Sequence, residues 1–135
     1  MKVKVGLVQS LGAILLLFPV QAVAAGDWIV IASTDAMLWE GQARSLHPAK
    51  NNSGQDVVVA SGRVTDNASK SIQFERWYVT VSACRIGSGK LVTTDLAGNF
   101  QFENDFVLKG GNVASSLADM LCSYVLESDS KGITS

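Results

Sequence analysis

The stretch SIQFERWYVTVSAC, residues 71–84, is the longest run of strand-forming residues in the chain, and its pattern decides the fold class. Part-way along the stretch, the apolar residues switch from even-numbered to odd-numbered positions. Ile72 and Phe74 would lie on one side of a strand, and Trp77 with the valines after it on the other. A β-bulge near residues 75–76 would restore a single core face. A strand that is buried on both faces explains the pattern equally well, and both interpretations predict a sheet.

Further strands are predicted on both sides of this segment, with short polar turns between them. They are WIVIAS (28–33), AMLWE (36–40), DVVVASGRVT (56–65), KLVTTD (90–95) and FQFENDF (100–106). Residues 41–55 are expected to form a loop. RIGSGK (85–90) is interpreted as a hairpin turn with Gly87 and Gly89 at positive φ. Short connections predict an antiparallel meander with one packed and one solvated face.

The segment GGNVASSLADMLCSYVLE, residues 110–127, predicts a helix that covers the packed face. Asn112 follows two helix-breaking glycines and can cap the helix. The residues at apolar helical spacing are Val113, Leu117, Met120, Leu121 and Tyr124, with Ser115, Ser116, Asp119 and Ser123 on the opposite side. The expected fold class is therefore α+β, an antiparallel sheet of about five or six strands covered by one C-terminal helix. Residues 127–135 are expected to be a disordered tail.

The first 25 residues have the three parts of a secretory signal peptide. Met1–Lys4 carries two lysines, Val5–Val20 is an apolar run, and QAVAA (21–25) supplies the small residues that a signal peptidase needs. The apolar run is shorter than the roughly 20 residues of a membrane span. We predict cleavage after Ala24 or Ala25, with an uncleaved anchor as the alternative. Cleavage would leave one domain over residues 26–126, exported to the periplasm or cell surface and not stably inserted in the membrane.

The only two cysteines, Cys84 and Cys122, both lie in the exported part of the chain. An oxidising compartment makes a disulfide between them the expected state, with two buried free thiols as the alternative. Cys84 also argues against a phosphate-binding loop, because it stands where that motif requires its first glycine. Two cysteines and the single His47 cannot supply the four ligands of a structural zinc site.

The charge of the exported part excludes one class of partner. Loss of Lys2 and Lys4 with the signal peptide lowers the formal net charge from −1 to −3. A mildly acidic chain with scattered lysines lacks the basic patch that nucleic-acid binding requires.

Candidate catalytic groups are few. His47, the only histidine, is expected on a loop just before Pro48. Glu103 and Asp105 are paired carboxylates on one face of a predicted strand, where a solvated edge is the simpler explanation. We therefore expect no enzyme activity, no cofactor and no metal site.

Trp39 is the tryptophan expected at the surface, because it lies beside Glu40 at the mouth of the predicted 41–55 loop. The core should bury at least two of the three tryptophans. Exposed aromatic residues near loops are favoured anchors for binding partners. The candidate binding surface is therefore Trp39, Glu40 and His47.

Three features of the exported part occur together: a tryptophan-led strand (GDWIVIAS, 26–33), a strand ending in cysteine (WYVTVSAC, 77–84) and a helix with the second cysteine (VASSLADMLC, 113–122). This layout resembles the small exported bacterial domains of the surface-adhesin protein E-like kind. The resemblance implies a non-enzymatic α+β domain, in the periplasm or on the cell surface, and the better-known members bind host matrix proteins. No ligand-contacting residue of such an adhesin can be matched here, so that binding function is not carried over.

The expected function is a binding or interaction module for a protein partner, without catalysis. A periplasmic inhibitor or immunity protein that binds a toxin or hydrolase is the alternative, because a small acidic domain with a long loop suits both roles.

Overall fold

The computed structural model describes residues 28–132, so the predicted signal peptide lies outside the described residues. One antiparallel sheet and two helices make up this part. The strands are β1 (Trp28–Ser33), β2 (Met37–Gln42), β3 (His47–Lys50), β4 (Asp56–Asp66), β5 (Ile72–Thr80), β6 (Ser88–Thr94) and β7 (Phe100–Val107). The helices are α1 (Val81–Ile86) and α2 (Val113–Ser130), and a 3-10 turn (Ala43–Ser45) links β2 to β3.

The strands follow one another across the sheet in the order β1-β2-β4-β5-β6-β7, and β3 also pairs with β4. All pairs are antiparallel. The predicted α+β class, with an antiparallel meander and a C-terminal helix, is confirmed. The additions within residues 28–132 are the edge strand β3 and the short helix α1.

The predicted loop over residues 41–55 is wrong at residues 41–42 and 47–50, because β2 and β3 pair in succession with the same edge of β4. The 3-10 turn interrupts this pairing, and Ser45 bridges the gap. Its Oγ accepts a hydrogen bond from the Ser61 N–H at 2.7 Å and donates one to the Gln42 carbonyl at 2.6 Å. Pro48 suggested a loop, but an edge strand tolerates proline where no ladder hydrogen bond is lost.

The long strand predicted over residues 71–84 ends at Thr80, where α1 begins. Thr80 Oγ1 accepts a hydrogen bond from the Ala83 N–H at 3.1 Å and so caps the helix. Gly87, with φ of 101°, ends the helix. A helix therefore joins β5 to β6, and the predicted hairpin turn is wrong. Gly89 does not have positive φ; it is small because a Cβ there would lie 2.7 Å from the Ala83 Cβ.

The bulge predicted near residues 75–76 is absent from the β4–β5 pairing, which is regular along the whole of β5. The strand is not buried on both faces either, since Ile72 and Phe74 are about half exposed, at 50% and 48%. Trp77 is fully buried on the other face. The apolar side chains therefore do switch from one face of β5 to the other. They meet solvent at the start of the strand and the core at its end.

Helix α2 packs across one face of the sheet, which we call the inner face. Its N-terminus has the predicted cap, because Asn112 Oδ1 accepts a hydrogen bond from the Ser115 N–H at 2.9 Å. Ser115 was expected on the solvent side but is buried, and its Oγ accepts a hydrogen bond from the Val107 N–H at 3.1 Å. The core beneath the helix is built mainly from Val58, Ala60, Val64, Trp77, Val79, Leu91, Phe106, Leu117, Ala118, Leu121, Cys122 and Val125.

The end of α2 lies further along the chain than expected. The helix continues to Ser130, so residues 127–130 are helical where a disordered tail was predicted. Arg85 of α1 makes two hydrogen bonds to the Asp129 carboxylate, at 3.0 and 2.9 Å, which hold this last turn against α1. Residues 133–135 lie outside the described part of the chain.

The predicted disulfide is confirmed. Cys84 of α1 and Cys122 of α2 are bonded, with their Cα atoms 5.3 Å apart, and both are buried. The bond joins the two helices beside the core. Neither helix within residues 28–132 is both long and apolar enough to cross a membrane.

Candidate functional site

The structure does not bring the three predicted surface residues together. Trp39 and Glu40 are neighbours on β2 and therefore lie on opposite faces of the sheet. Trp39 lies on the inner face and is half-buried against the core. Glu40 and His47 lie on the other face, which we call the outer face, because they pair with Arg63 and Val59 of β4. Only one of the three tryptophans, Trp77, is fully buried, although at least two were expected to be buried.

The outer face carries a concentration of aromatic and apolar side chains. They project from β1, β5 and β7, and neither described helix packs over the middle of this face. The exposed members are Val30, Ile72, Phe74 and Phe100, and Trp28 and Tyr78 are partly exposed. Phe100 is 62% exposed, which is unusual for a phenylalanine on a regular strand.

Arg76 lies at the centre of this surface. On β5 it stands between Phe74 and Tyr78, which are two residues away on the same face. Its cross-strand partners are the small hydroxyl residues Ser61 and Thr94, which leave the guanidinium uncovered. Arg76 is exposed and has no ion pair within residues 28–132.

One corner of the outer face is held in a fixed arrangement. The Arg63 Cζ lies 4.1 Å from the centroid of the Trp28 ring, and its Nε donates to Glu40 Oε1 at 2.8 Å. The Trp28 ring also contacts Phe74, with 6.2 Å between the ring centroids. Cation–π and ring contacts of this kind reduce the side-chain entropy that a partner would have to remove.

The other end of the outer face is recessed. His47, Arg76, Tyr78 and Phe100 line a shallow depression of about 390 Å³. Lys50 stands at its edge and is paired with Asp56 at 2.7 Å. The outer face thus combines a flat aromatic part with a recess whose walls include a cation and two aromatic rings.

The predicted pair Glu103 and Asp105 lies on β7 at the edge of the sheet. Both residues are exposed, and Asp105 pairs with Lys90 on β6. Charged side chains on an edge strand oppose pairing with the edge of another molecule.

The inner face has a groove of its own, because α2 covers only part of the sheet. The groove has a volume of about 650 Å³. Its walls include Met37, Trp39, Val64, Glu75, Trp77, Phe102, Val113 and Leu117. Among them Glu75 is a carboxylate that is only 8% exposed.

Glu75 is held by one hydrogen bond, in which Trp77 Nε1 donates to Glu75 Oε1 at 2.9 Å. Burial raises the pKa of the Glu75 carboxyl, and the hydrogen bond from Trp77 opposes this with a smaller effect. Glu75 faces Gly62 across the β4–β5 pair. No group of three or more possible metal ligands occurs among the residues that the structure describes.

The sequence matches no protein-family model, no curated protein and no solved structure. The function proposed below therefore rests on the geometry of the described residues.

Arg76, Phe74 and Glu75 were not recognised from the sequence as site residues. The signal was present, because residues 72, 74, 76 and 78 alternate with the core-facing residues of the same strand. A bulge or burial on both faces explains this alternation only if every apolar residue of the strand is counted as core.

Proposed function

We propose that the protein is an exported, non-catalytic binding module that holds a protein partner on the outer face of its sheet. The observation that carries this proposal is Arg76, exposed and without an ion pair in the described chain, between two aromatic residues. Arginine and aromatic residues supply most of the binding energy at protein interfaces. Solitary exposed apolar residues are common, whereas a contiguous aromatic patch marks an interaction surface.

The chemistry of the outer face indicates what the partner presents. The Arg76 guanidinium would bind a carboxylate of the partner through two parallel hydrogen bonds. Apolar side chains around that carboxylate would pack against Phe74, Tyr78 and Phe100. The partner surface is therefore an apolar patch with an acidic residue near its centre.

Export is supported by the signal-peptide pattern of residues 1–25 and by the Cys84–Cys122 disulfide, a bond typical of oxidising compartments. Two kinds of partner fit an exported module. A host matrix protein would agree with the adhesin E-like layout, and a toxin or hydrolase in the periplasm would make the protein an inhibitor.

The test is site-specific crosslinking in the organism that produces the protein. A photoreactive phenylalanine analogue replaces Phe74 in the full chain, and a matched control places it at Leu126 of α2, which is similarly exposed at 42%. We expect a discrete protein adduct from position 74 and none from position 126. Arg76→Glu should reduce the adduct by tenfold or more, since loss of a central arginine costs about 2 kcal/mol or more.

Equal adducts from both positions, or an adduct that is unaffected by Arg76→Glu, would refute the proposed surface. Thermal unfolding of Arg76→Glu provides the folding control, because an exposed residue should leave stability almost unchanged. Protease treatment of intact and permeabilised cells then separates the two partner classes. Digestion in intact cells favours an adhesin-like role, and protection favours an inhibitor.

A further inference from the structure

The groove on the inner face has the size and composition of a small-molecule site. Its volume of about 650 Å³ lies within the range of about 300–1,000 Å³ that is usual for such sites. Its walls are mainly apolar, and Trp39, Trp77 and Phe102 place three aromatic rings around one space. Ligand sites typically combine walls of this kind with a few fixed polar groups.

The fixed polar group is Glu75. It is more than nine-tenths buried, and its Oε1 is occupied by the indole N–H of Trp77. Its Oε2 has no hydrogen-bond partner within residues 28–132. A buried carboxylate oxygen without a partner is costly, which indicates that a ligand or water satisfies it.

The charges around the groove have one sign. Glu75 and Asp105 are its charged lining residues, and no lysine, arginine or histidine of the described chain lines it. Asp105 is paired with Lys90 across β6 and β7, and both side chains project to the outer face, so Glu75 is the charged side chain that faces the groove. An anionic ligand would meet uncompensated repulsion, and a neutral ligand would leave the carboxylate without its counter-charge.

We propose that this groove binds a small organic amine. The ammonium group lies against the Glu75 carboxylate, and the apolar body of the ligand lies between Trp39 and Phe102. Aromatic faces attract cations by up to about 2 kcal/mol in desolvated sites, so the rings and the carboxylate favour the same class of ligand. This site lies on the opposite face from Arg76 and does not depend on the proposed function.

The test uses three phenylalkyl probes of similar size with different charges: 2-phenylethylamine, 2-phenylethanol and 3-phenylpropionate. Their binding to the disulfide-bonded protein is measured by calorimetry at neutral pH. We expect the amine to bind at least about tenfold more tightly than the alcohol, and the carboxylate not to bind. An amine that binds no more tightly than the alcohol, or with a Kd above about 10 mM, would overturn the proposal.

The location of the bound amine is read from the three tryptophans. The indole N–H resonances of Trp39 and Trp77 should shift on titration with 2-phenylethylamine, while that of Trp28 on the outer face should not. A shift confined to Trp28 would place the amine elsewhere and overturn the assignment.

Two pairs of variants test the role of charge. Glu75→Gln keeps an acceptor for the Trp77 N–H, and it should reduce binding of the amine to the level of the alcohol. Glu103→Gln removes an exposed carboxylate outside the groove and should have no effect. Retention of the amine preference in Glu75→Gln would contradict the proposal.

A second pair avoids the buried position, in case Glu75→Gln does not fold. Asn104 is exposed at the rim of the groove, so substitution there should not disturb the core. Asn104→Lys should weaken amine binding at least about threefold through charge repulsion, and Asn104→Gln should not. Equal amine affinity in both variants would count against a charge-selective site.

Discussion

Gly62 provides the sharpest test of the packing, because the inner face leaves no room for a side chain there. A Cβ at Gly62 would lie well under 3.0 Å from Cη2 and Cζ3 of Trp77 and from the Glu40 carbonyl oxygen. The indole ring is fully buried and the carbonyl belongs to the paired strand β2, so neither can move freely. Gly62→Ala therefore forces a displacement of the core or of the sheet.

The expected cost follows from these contacts. Overpacking a filled core costs about 1–3 kcal/mol, and two rigid neighbours favour the upper end of that range. The lower entropy of alanine in the unfolded chain offsets at most about 1 kcal/mol. We expect the free energy of unfolding to fall by about 2–3 kcal/mol, and Tm by about 8–24 °C for a domain of this size.

Gly41 is the matched control, because it pairs directly with Gly62 across β2 and β4. Its Cβ would lie 2.5 Å from Ile31 Cδ1, the end of a flexible side chain that can rotate away. Gly41→Ala should therefore cost less than about 1 kcal/mol. Urea unfolding followed by circular dichroism measures both variants.

A double-mutant cycle identifies the cause. Trp77→Phe removes the ring atoms that meet the new Cβ, so Gly62→Ala should cost at least 1 kcal/mol less in that background. The packing argument fails if Gly62→Ala is no worse than Gly41→Ala, or if its cost is the same with phenylalanine at position 77.

Three further predictions concern the disulfide, the helix cap and the buried carboxyl. Cys84→Ser should lower the free energy of unfolding by about 4 kcal/mol, since the bond closes a loop of 38 positions; an unchanged urea midpoint would show that it contributes nothing. Asn112→Ala should cost about 1 kcal/mol by removing the cap of α2, whereas Asn52→Ala in an exposed turn should cost nothing measurable, and equal effects would refute the cap. Because burial raises the pKa of Glu75 in the folded state, the stability that its protonated form contributes is complete below about pH 4.5 and is lost as pH rises through the folded value. As pH rises from about 4.5 through the folded pKa of Glu75, wild type should therefore lose stability relative to Glu75→Gln. Parallel pH profiles of the urea midpoint in the two proteins would contradict this.

The parts of the fold that the sequence predicted correctly have local signals. Asn112 after two glycines, followed by apolar residues at helical spacing, is enough to place the start of α2. The disulfide needed only the presence of two cysteines and an argument about compartment. Helix α1 has a weaker local signal, a single capping threonine, because Val81 and the residues before it continue a strand pattern. Its helical form depends on the Thr80 cap and on the bond from Cys84 to α2, which is a tertiary contact.

The candidate site was harder to predict for a related reason. Trp39 and Glu40 were grouped because they are adjacent in sequence, although adjacent residues on a strand point in opposite directions. The sequence does not show that Phe74 and Arg76 share an exposed face, since only the position of α2 shows which face of β5 meets solvent. The burial of Glu75 likewise depends on how far α2 extends over the sheet.

The disulfide has a mechanical consequence. Cys84 and Cys122 enclose β6 and β7, so a pulling force applied to the two ends of the domain would pass through the sulfur atoms and leave those strands unloaded. The enclosed loop of 38 positions would be about 130 Å long if fully extended. The maximum extension of the oxidised protein would therefore be shorter than that of the reduced protein by this length. Reduction of one bond would release it, so the redox state of the surroundings would set how far the domain can be drawn out under tension.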